Sequence, residues 1–240
     1  MFTPFAMIAL AGALLMQPAA AADRLLVFTK TAGYRHDSIP AAVEAIRGLA
    51  SRHGVAVDHT EDAALFRRDT LSAFKAVAFV NTTGNILEGE QRRAFEAFIA
   101  AGGGYLGVHS AADTGYGWPW YGRLVGAWFK NHPPDLQTGT VRFSRPLREG
   151  WPAAWRVTDE FYNFRSRPDG EAAVIARLDE STYEGGEMGG DHPISWCRTI
   201  DGGRSWYTGL GHRPELFQDP IFLAHLEKGV LFAMARSEEC

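Results

Sequence analysis

The sequence predicts an α/β fold built on a doubly wound, mostly parallel sheet, with additional β-hairpins in the C-terminal half. In the first half, short apolar runs alternate with amphipathic segments, which is the rhythm of right-handed βαβ units. These runs are apolar at successive positions, as is typical of strands buried on both faces of a parallel sheet. In the second half, strand-like segments follow one another, and the Asp-Gly-Gly sequence at 201–203 is a hairpin-turn signal between two of them.

Four strands and two helices are predicted in the first half. The strands cover residues 24–29, 55–59, 76–81 and 105–108. The first helix opens at Pro40, a residue suited to the first helical turn, and it closes at Gly54. The second helix covers residues 88–101, and the glycines at 102–104 then release the chain into the central strand.

The second half of the chain is richer in loops and strands. Residues 110–134 form a loop-rich segment with several aromatic side chains. Strands are predicted over residues 138–143, 155–158, 172–178, 193–200 and 205–210. A final helix covers residues 219–235. Because no internal repeat, low-complexity stretch or linker interrupts this order, the sequence predicts one domain over residues 23–240.

The composition is that of a soluble globular protein and excludes one class of partner. Of 240 residues, 46% are hydrophobic and 22% are charged, which is ordinary for such a chain. The net charge of −4 and the lack of a Lys/Arg cluster argue against nucleic-acid binding. Seven Trp and seven Tyr, several of them near Gly/Pro-rich loops, suit a flat ligand with polar and apolar sides, such as a carbohydrate.

The N-terminus has the pattern of a signal peptide over residues 1–22. Residues 5–16 form an apolar run of signal-peptide length, and residues 19–22 supply small side chains for cleavage. The run is too short for a membrane-spanning helix, so we expect a periplasmic or secreted protein with no membrane span once the signal is removed. Cys197 and Cys240 are the only cysteines, and they could form one disulfide in such an oxidising compartment.

Five of the eight histidines stand at predicted turns beside Gly, Pro, Asp or Ser. They are His36, His109, His132, His192 and His212. An acidic pair, Asp159 and Glu160, directly follows a predicted strand. Because ligands bind at the carboxyl ends of strands in open α/β sheets, we expect a functional site there.

Two kinds of chemistry fit this set of residues. Neutral imidazoles with a carboxylate are the ligands of Zn²⁺ or a similar divalent ion. Histidine and glutamate are equally the usual general acids and bases near neutral pH. The chain has no closely spaced metal motif such as His-Glu-x-x-His, so the sequence leaves both interpretations open.

Ordered motifs along nearly the whole mature chain resemble those of one family. They are Lys30-x-x-Gly33-Tyr34-Arg35-His36-Asp37-Ser38-Ile39, Gly107-Val108-His109-Ser110-Ala111-x-Asp113, Phe129-x-x-His132-Pro133, Asp159-Glu160-x-Tyr162, and Pro193-Ile194-x-Trp196 followed by Gly203-Arg204-x-x-Tyr207-x-x-Leu210-Gly211-His212. Together they resemble the ThuA-like (trehalose-utilisation) family. That resemblance implies the class I glutamine amidotransferase-like fold, whose sheet is flavodoxin-like.

The chain departs from amidotransferases where their chemistry takes place. In those enzymes a Gly-x-Cys-x-Gly elbow presents a thiol, and a His-Pro-Glu stretch supplies its base. Here residues 107–111 read Gly-Val-His-Ser-Ala, and residues 212–215 read His-Arg-Pro-Glu, with one residue inserted. Cys197 lies inside a predicted strand, so no thiol is available for amidotransferase chemistry. We also disfavour Ser110, beside His212, as a nucleophile, because it lies one residue beyond the elbow apex.

The resemblance implies sugar metabolism, with links to trehalose and 3-keto-glycosides. We expect His109, His212 and Glu160 to transfer protons on a sugar or glycoside, because the carbon beside the carbonyl of a keto sugar is acidic. The expected substrate-binding residues are His36, Asp37, Asp113, His132, Tyr162, Arg204 and Trp118. If a divalent metal ion is bound, the candidate ligands are His36, His109, His132 and His212.

Two alternatives stand beside this interpretation. The chain could be a non-catalytic carbohydrate-binding or accessory protein that keeps the scaffold without the nucleophile, because one fold hosts many functions. It could also be a metal-dependent hydrolase, which needs three of these side chains around one point. Geometry separates them, since catalysis requires His109, His212 and Glu160 to converge within a few ångströms.

Overall fold

The computed structural model describes residues 22–240, so the expected signal peptide lies, apart from Ala22, outside the described residues. The strands are β1 (Arg24–Phe28), β2 (Ala56–Thr60), β3 (Ala76–Val80), β4 (Gly104–Val108), β5 (Phe129–Asn131), β6 (Gln137–Phe143), β7 (Ala154–Asp159), β8 (Asn163–Phe164), β9 (Ala173–Asp179), β10 (His192–Ile200) and β11 (Gly203–Thr208). The α-helices are α1 (Ile39–Arg52), α2 (Arg68–Leu71), α3 (Gly89–Ala100), α4 (Pro119–Val125) and α5 (Pro220–Ala233).

Nine strands form one sheet in the order β2-β1-β3-β4-β11-β10-β9-β6-β7. The first five pair in parallel, and their order is that of flavodoxin-like folds, with β11 in the fifth position. The remaining strands are added by antiparallel pairing, so that β9 and β7 again run in the direction of the parallel strands. The predicted α/β fold on a doubly wound, mostly parallel sheet is confirmed.

Helices cover both faces of the parallel part. The Tyr105 ring of β4 lies 6.3 Å from the Phe95 ring of α3, centroid to centroid, whereas a side chain added at Gly104 would collide with the Ala233 carbonyl of α5. Because neighbouring residues of a strand point to opposite faces, α3 and α5 lie on opposite sides of β4. Glycine at position 104 is therefore required by the close approach of α5 to the strand.

The antiparallel half of the sheet packs around α5. Trp155 of β7 stacks on Phe222 of α5, with ring centroids 6.5 Å apart. His225 of α5 packs against Phe143 of β6 and Trp206 of β11, at centroid distances of 5.4 and 4.8 Å. In a flat sheet, β7 and β11 would lie ~19 Å apart, at ~4.8 Å per strand. Contact of one helix with both regions therefore means that the sheet curls around α5.

Most predicted elements lie within two residues of their observed bounds. Four short elements were not predicted: the helix Arg68–Leu71, the strand Asn163–Phe164 and, within the segment 110–134, the helix Pro119–Val125 and the strand Phe129–Asn131. Short elements of this kind are stabilised by tertiary packing, and propensity does not reveal them. No helix among residues 22–240 has both the length and the apolar character needed to cross a membrane. Cys197 and Cys240 form a disulfide, with Cα atoms 6.3 Å apart.

We predict that His225 makes the folded state sensitive to acid. Burial lowers the pKa of His225 to about 3, and the charge of Lys228 acts in the same direction. Below its ordinary pKa of 6.5, the unfolded chain takes up a proton that the folded chain does not, so stability falls as the pH falls. Between about pH 7 and about pH 5, this group should account for a loss of about 2 kcal/mol.

The measurement is urea unfolding of wild type and His225→Leu at both pH values. The variant should lose less stability on acidification, by about the same 2 kcal/mol, since the other titrating groups are shared. An equal loss in both proteins would contradict the prediction.

Candidate functional site

His109 lies at the sharp turn that follows β4. Its φ is +50°, in the left-handed region that residues other than glycine rarely adopt, and a 3₁₀ turn over His109–Asp113 follows. Its Nδ1 donates a hydrogen bond of 2.8 Å to the carbonyl of Gly209. Its own carbonyl accepts one of 2.8 Å from the Tyr207 hydroxyl. Contacts from β11 and the residue that follows it therefore fix both the turn and the ring of His109. They leave Nε2 of His109 facing the site.

The loop that carries His212 is held by a carboxylate from the far edge of the sheet. Asp159, the last residue of β7, accepts hydrogen bonds from the backbone N–H of Gly211 at 2.8 Å and of Arg213 at 3.2 Å. Burial raises the pKa of Asp159, although the neighbouring histidines and the Gly211 N–H oppose this effect. The Ser38 hydroxyl donates to the Gly211 carbonyl at 3.0 Å. These contacts fix the loop on both sides of His212.

Glu160 brings three histidines together. Its Oε2 lies 3.4 Å from Nε2 of His109 and 3.3 Å from Nδ1 of His212. Its Oε1 lies 3.3 Å from Nε2 of His132. Only 13% of the Glu160 side chain is exposed, so these contacts are little screened by water.

His36 completes the cluster from the loop after β1. The residue is buried, and its Nδ1 lies 3.3 Å from the Ser110 hydroxyl. Its ring is 4.8 Å from that of His109 and 5.1 Å from that of His212, centroid to centroid. One donor atom each from His36, His109, His212 and Glu160 lies within 4.8 Å of the others. We call these four residues the inner group.

Burial and mutual contact set the charges of the inner group. Burial alone would raise the pKa of Glu160, but close contacts with His109 and His212 outweigh it and hold the pKa well below its ordinary value. Contact with Glu160 raises the pKa of His212 against the opposing effect of burial. Burial lowers the pKa of His36 to about 2, and the neighbouring histidines lower it further. The inner group therefore combines an anionic carboxylate with at least one neutral imidazole.

The outer side of the cluster is open to solvent. The His132 side chain is 39% exposed and the His212 side chain 24% exposed, whereas His109 is fully buried. Tyr34 is 63% exposed, and its ring lies edge-on to that of His36 at 4.8 Å. We call Tyr34 and His132 the rim of the site.

Tyr162 forms the buried wall of the site. Its ring packs against His109 at a centroid distance of 4.2 Å. Behind it, Nε2 of His192 donates to the Tyr162 carbonyl at 2.9 Å, while Nδ1 lies 2.7 Å from the Glu180 carboxylate. Burial lowers the pKa of His192, although these two contacts oppose it. Of the five turn histidines, four lie in the cluster around Glu160, and His192 supports the wall.

Two further predicted site residues, Asp37 and Asp113, lie beside the cluster. Asp37 is exposed next to His36, and Asp113 accepts a 2.5 Å hydrogen bond from the Tyr116 hydroxyl. Burial raises the pKa of Asp113, although this hydrogen bond opposes it. The Ser110 hydroxyl faces His36 instead of His212, which gives no support to its use as a nucleophile.

Two residues expected to bind substrate lie elsewhere, which corrects the prediction. Arg204 pairs in register with Gly104, the first residue of β4. It therefore lies at the amino ends of the parallel strands, opposite to the histidine cluster, and it donates to Glu238 at 2.7 Å. The Trp118 indole donates to Glu96 of α3 at 2.7 Å and packs under the loop instead of facing the histidines. Residue type alone does not indicate which end of a strand a side chain occupies. His132, which we expected as a candidate metal ligand, also lies outside the inner group. Glu160 is the fourth member of that group instead.

Two supporting residues were not among the predicted site residues. The Asn81 amide donates to the Ser38 hydroxyl at 2.6 Å, and Ser38 in turn holds the Gly211 carbonyl. Asn81 has a φ of +51° directly after β3. A polar residue at the end of a buried strand was the available signal, but its partner is 43 positions away in sequence.

Two sizeable surface cavities lie away from the cluster. One of about 570 Å³ is lined by residues that include Lys30, Asn85 and Glu88. Another of about 340 Å³ lies near His225 and Cys240. Neither is lined by a residue of the inner group or the rim.

The arrangement has two chemical capacities. Three imidazoles and one carboxylate can hold a divalent metal ion. A solvent-facing imidazole in contact with a carboxylate can also accept and return a proton. The thiol chemistry of the amidotransferase elbow has no counterpart here, because residue 109 carries an imidazole where a thiol would be needed.

One family model matches most of the chain. The family model ThuA, described as trehalose utilisation, matches residues 24–233. No curated protein matches the chain.

Solved structures share the fold. A ThuA-like protein from Bacteroides uniformis has a TM-score of 0.75 at 22% identity, with 94% of this chain and 97% of that chain covered. A ThuA-like protein from Parabacteroides merdae has a TM-score of 0.70 at 19% identity, with 92% and 93% covered. A cytoplasmic protein from Salmonella typhimurium has a TM-score of 0.59 at 10% identity, with 87% and 98% covered. At these identities, the similarity establishes the fold alone.

We predict that Asp159 is required for stability because it ties two distant strands together. Asp159→Ala leaves two backbone N–H groups without their acceptor and should lower the free energy of unfolding by about 2–4 kcal/mol. Asp159→Asn keeps one acceptor oxygen and should lose about half as much. Urea unfolding measures both variants. Asp69→Ala, at a side chain that is 82% exposed, is the control, and an effect of Asp159→Ala no larger than that of the control would refute the prediction.

Proposed function

This chain belongs to the ThuA family, and on that basis we propose that it is an enzyme that acts on a sugar or glycoside at the Glu160 cluster. The reaction we propose is removal of a proton from the carbon beside the carbonyl of a keto sugar, such as a 3-keto-glycoside. The signal-peptide pattern over residues 1–22 adds the proposal that the enzyme works in the periplasm or outside the cell.

One observation carries the proposal: a largely buried carboxylate contacts three imidazoles at 3.3–3.4 Å, and one of them opens to solvent. This convergence meets the geometric requirement for catalysis and so supports an enzyme over a non-catalytic binding protein. Surface histidine–carboxylate pairs are common, but this carboxylate is shared by three histidines. It also lies at the carboxyl ends of the parallel strands, where α/β enzymes bind their ligands.

We assign the proton transfer to His132 on grounds of access. The fully buried ring of His109 is out of reach of a sugar, whereas the His132 side chain is 39% exposed. The Nδ1 of His132 donates to the Pro133 carbonyl at 2.7 Å, which leaves Nε2 as the proton acceptor. Glu160 lies 3.3 Å from that Nε2 and stabilises the imidazolium that forms.

The proposed reaction balances without an added reagent. Nε2 of His132 takes the proton from the carbon beside the carbonyl, and the electron pair left behind forms an enolate. The imidazolium form of His212, which contact with Glu160 favours by raising its pKa, supplies positive charge for the enolate oxygen. The enolate expels the glycosidic oxygen from the neighbouring carbon, and the proton held by His132 passes to that oxygen to give an alcohol. Reprotonation without expulsion gives isomerisation.

The rim supports a carbohydrate as the substrate. Tyr34 is one of only two large hydrophobic side chains that are exposed within residues 22–240, and its ring borders His36 of the inner group. An exposed aromatic ring next to polar groups offers one face to the apolar side of a sugar. Trp118, which we expected to stack on the sugar, is buried and turned towards α3.

We predict that His132→Ala lowers the rate of proton abstraction by at least about 100-fold, since a positioned general base contributes roughly 10²–10⁴. The assay follows exchange of substrate protons for deuterium by NMR, with 3-keto-trehalose and 3-keto-glucosides as substrates and trehalose as the unoxidised comparison. Added imidazole should restore part of the activity of His132→Ala, which a purely structural role would not allow.

The control variant is His53→Ala. His53 and Glu227 form another histidine–carboxylate pair, 2.9 Å apart, and its loss should leave full activity. Absence of exchange and of product for all keto sugars in the wild-type protein would overturn the proposed function. Full activity in His132→Ala would overturn the assignment of the base.

We also predict that Tyr34→Ala raises KM for the sugar by roughly 2- to 12-fold with kcat little changed, because loss of an aromatic contact is worth roughly 0.5–1.5 kcal/mol. Tyr34→Phe retains the ring and should behave like wild type. Equal KM values for wild type and Tyr34→Ala would exclude stacking at the rim.

A further inference from the structure

Two nitrogens of the inner group, Nε2 of His109 and Nδ1 of His212, face the same Glu160 oxygen and have no hydrogen-bond partner within residues 22–240. We propose that His36, His109, His212 and Glu160 bind one divalent transition-metal ion, for which Zn²⁺ is the fitting probe. The donor atoms of these residues lie within 4.8 Å of one another. Three imidazole nitrogens and one carboxylate oxygen form a donor set suited to zinc and its neighbours.

The hydrogen-bonding state of His109 is the first argument. The Gly209 carbonyl can only accept, so Nδ1 of His109 donates to it, and whenever the ring is neutral Nε2 presents a lone pair. That Nε2 faces Oε2 of Glu160 at 3.4 Å and has no hydrogen-bond partner among residues 22–240. In that state the lone pair of a fully buried ring faces a carboxylate oxygen, which also only accepts, on a side chain that is 13% exposed. A positive species between them removes the repulsion.

His212 repeats this arrangement on the other side of the same oxygen. Its Nδ1 lies 3.3 Å from Oε2 of Glu160 and likewise lacks a hydrogen-bond partner within the described part of the chain. A neutral His212 could place its one hydrogen on this Nδ1, but His109 has no such option, because its hydrogen is already on Nδ1 and a second proton would create a buried imidazolium 5.4 Å from the His212 ring, centroid to centroid. A single divalent cation satisfies both nitrogens and the carboxylate at once.

The distances agree with metal coordination. Bonds of ~2.1 Å from a tetrahedral ion to its ligands give ligand–ligand distances of ~3.4 Å. The two separations from Oε2 of Glu160, 3.4 Å to His109 and 3.3 Å to His212, have this value. The longest separation in the group, 4.8 Å, requires only a small inward movement of the ligands.

The residues around the inner group are those that metal ligands require. A ligating histidine usually donates its other ring N–H to a carbonyl, carboxylate or hydroxyl group, which orients the ring. Nδ1 of His109 has the Gly209 carbonyl at 2.8 Å, and Nδ1 of His36 has the Ser110 hydroxyl at 3.3 Å. The second oxygen of Glu160, Oε1, remains in contact with His132.

The role of this ion in the reaction rests on the proposed function. Ion binding itself does not, because it can be measured without any sugar. A bound divalent cation polarises a carbonyl oxygen, which is the stabilising charge that the enolate needs. His132 lies outside the inner group, so it remains free to carry the proton. His212 then serves as a ligand instead of a proton carrier.

The test is metal analysis of the untagged protein, followed by competition for Zn²⁺ against a zinc-binding dye after removal of metal with a chelator. We expect one bound ion per chain. His212→Ala and Glu160→Gln should each weaken Zn²⁺ binding by more than about 100-fold, because even outer partners of ligands are worth roughly 10–100-fold. His53→Ala removes a histidine that pairs with Glu227 instead and should bind as wild type does.

Each outcome decides the matter. His212 is partly exposed, so its alanine variant should fold, and urea unfolding of the metal-free proteins verifies this. Absence of tight Zn²⁺ binding in wild type, or equal weakening in His53→Ala, overturns the metal site. Metal binding without turnover of any keto sugar leaves the metal site intact and overturns the proposed function. Turnover that survives complete metal removal leaves the proposed function intact and overturns the part of the metal in the reaction.

Discussion

The geometry of the site depends on one pair of hydrogen bonds, those that Asp159 accepts from the backbone of Gly211 and Arg213. Asp159 ends β7 at the edge of the sheet, whereas Gly211 follows β11 at its centre, four strands away in sheet order. The two meet only because the antiparallel half curls around α5. The next residue, Glu160, is thereby placed among the histidines. The packing of α5 and the chemistry of the cluster are thus parts of one arrangement.

The turn after β4 is a strained backbone position that contacts from the neighbouring strand hold in place. The φ of +50° at His109 is costly for a residue with a side chain, and such strain persists only where surrounding contacts impose it. Tyr207 and Gly209 supply those contacts from the neighbouring strand. The imidazole held at this turn offers a lone pair to a ligand or a proton. The fold therefore permits the site without dictating its reaction.

The cluster divides into a buried and an open side with different physical roles. In the buried inner group, low exposure strengthens every charge interaction, so the histidines there are suited to holding Glu160 or an ion. At the rim, His132 and Tyr34 remain accessible and can meet a substrate. This division follows from burial, since the chemical character of the histidines is the same on both sides.

Local pattern was enough to predict the fold class, the bounds of most strands and helices, and the residue types of the site. Apolar runs and helical periodicity are properties of neighbouring residues, and the motifs around His36, His109, His132, Glu160 and His212 lie at turns that these patterns mark. The resemblance to ThuA-like proteins, which rests on those motifs, agrees with the family match over residues 24–233.

Which of these residues meet is a result of packing alone. Arg204 and Trp118 have side chains suited to binding a sugar, yet one lies at the opposite sheet edge and the other turns towards α3. Asp159 and Ser38 act through backbone groups of a loop that lies far away in sequence. Burial, the end of a strand that a residue occupies and the curl of a sheet are properties of the whole packed chain, and no local pattern records them.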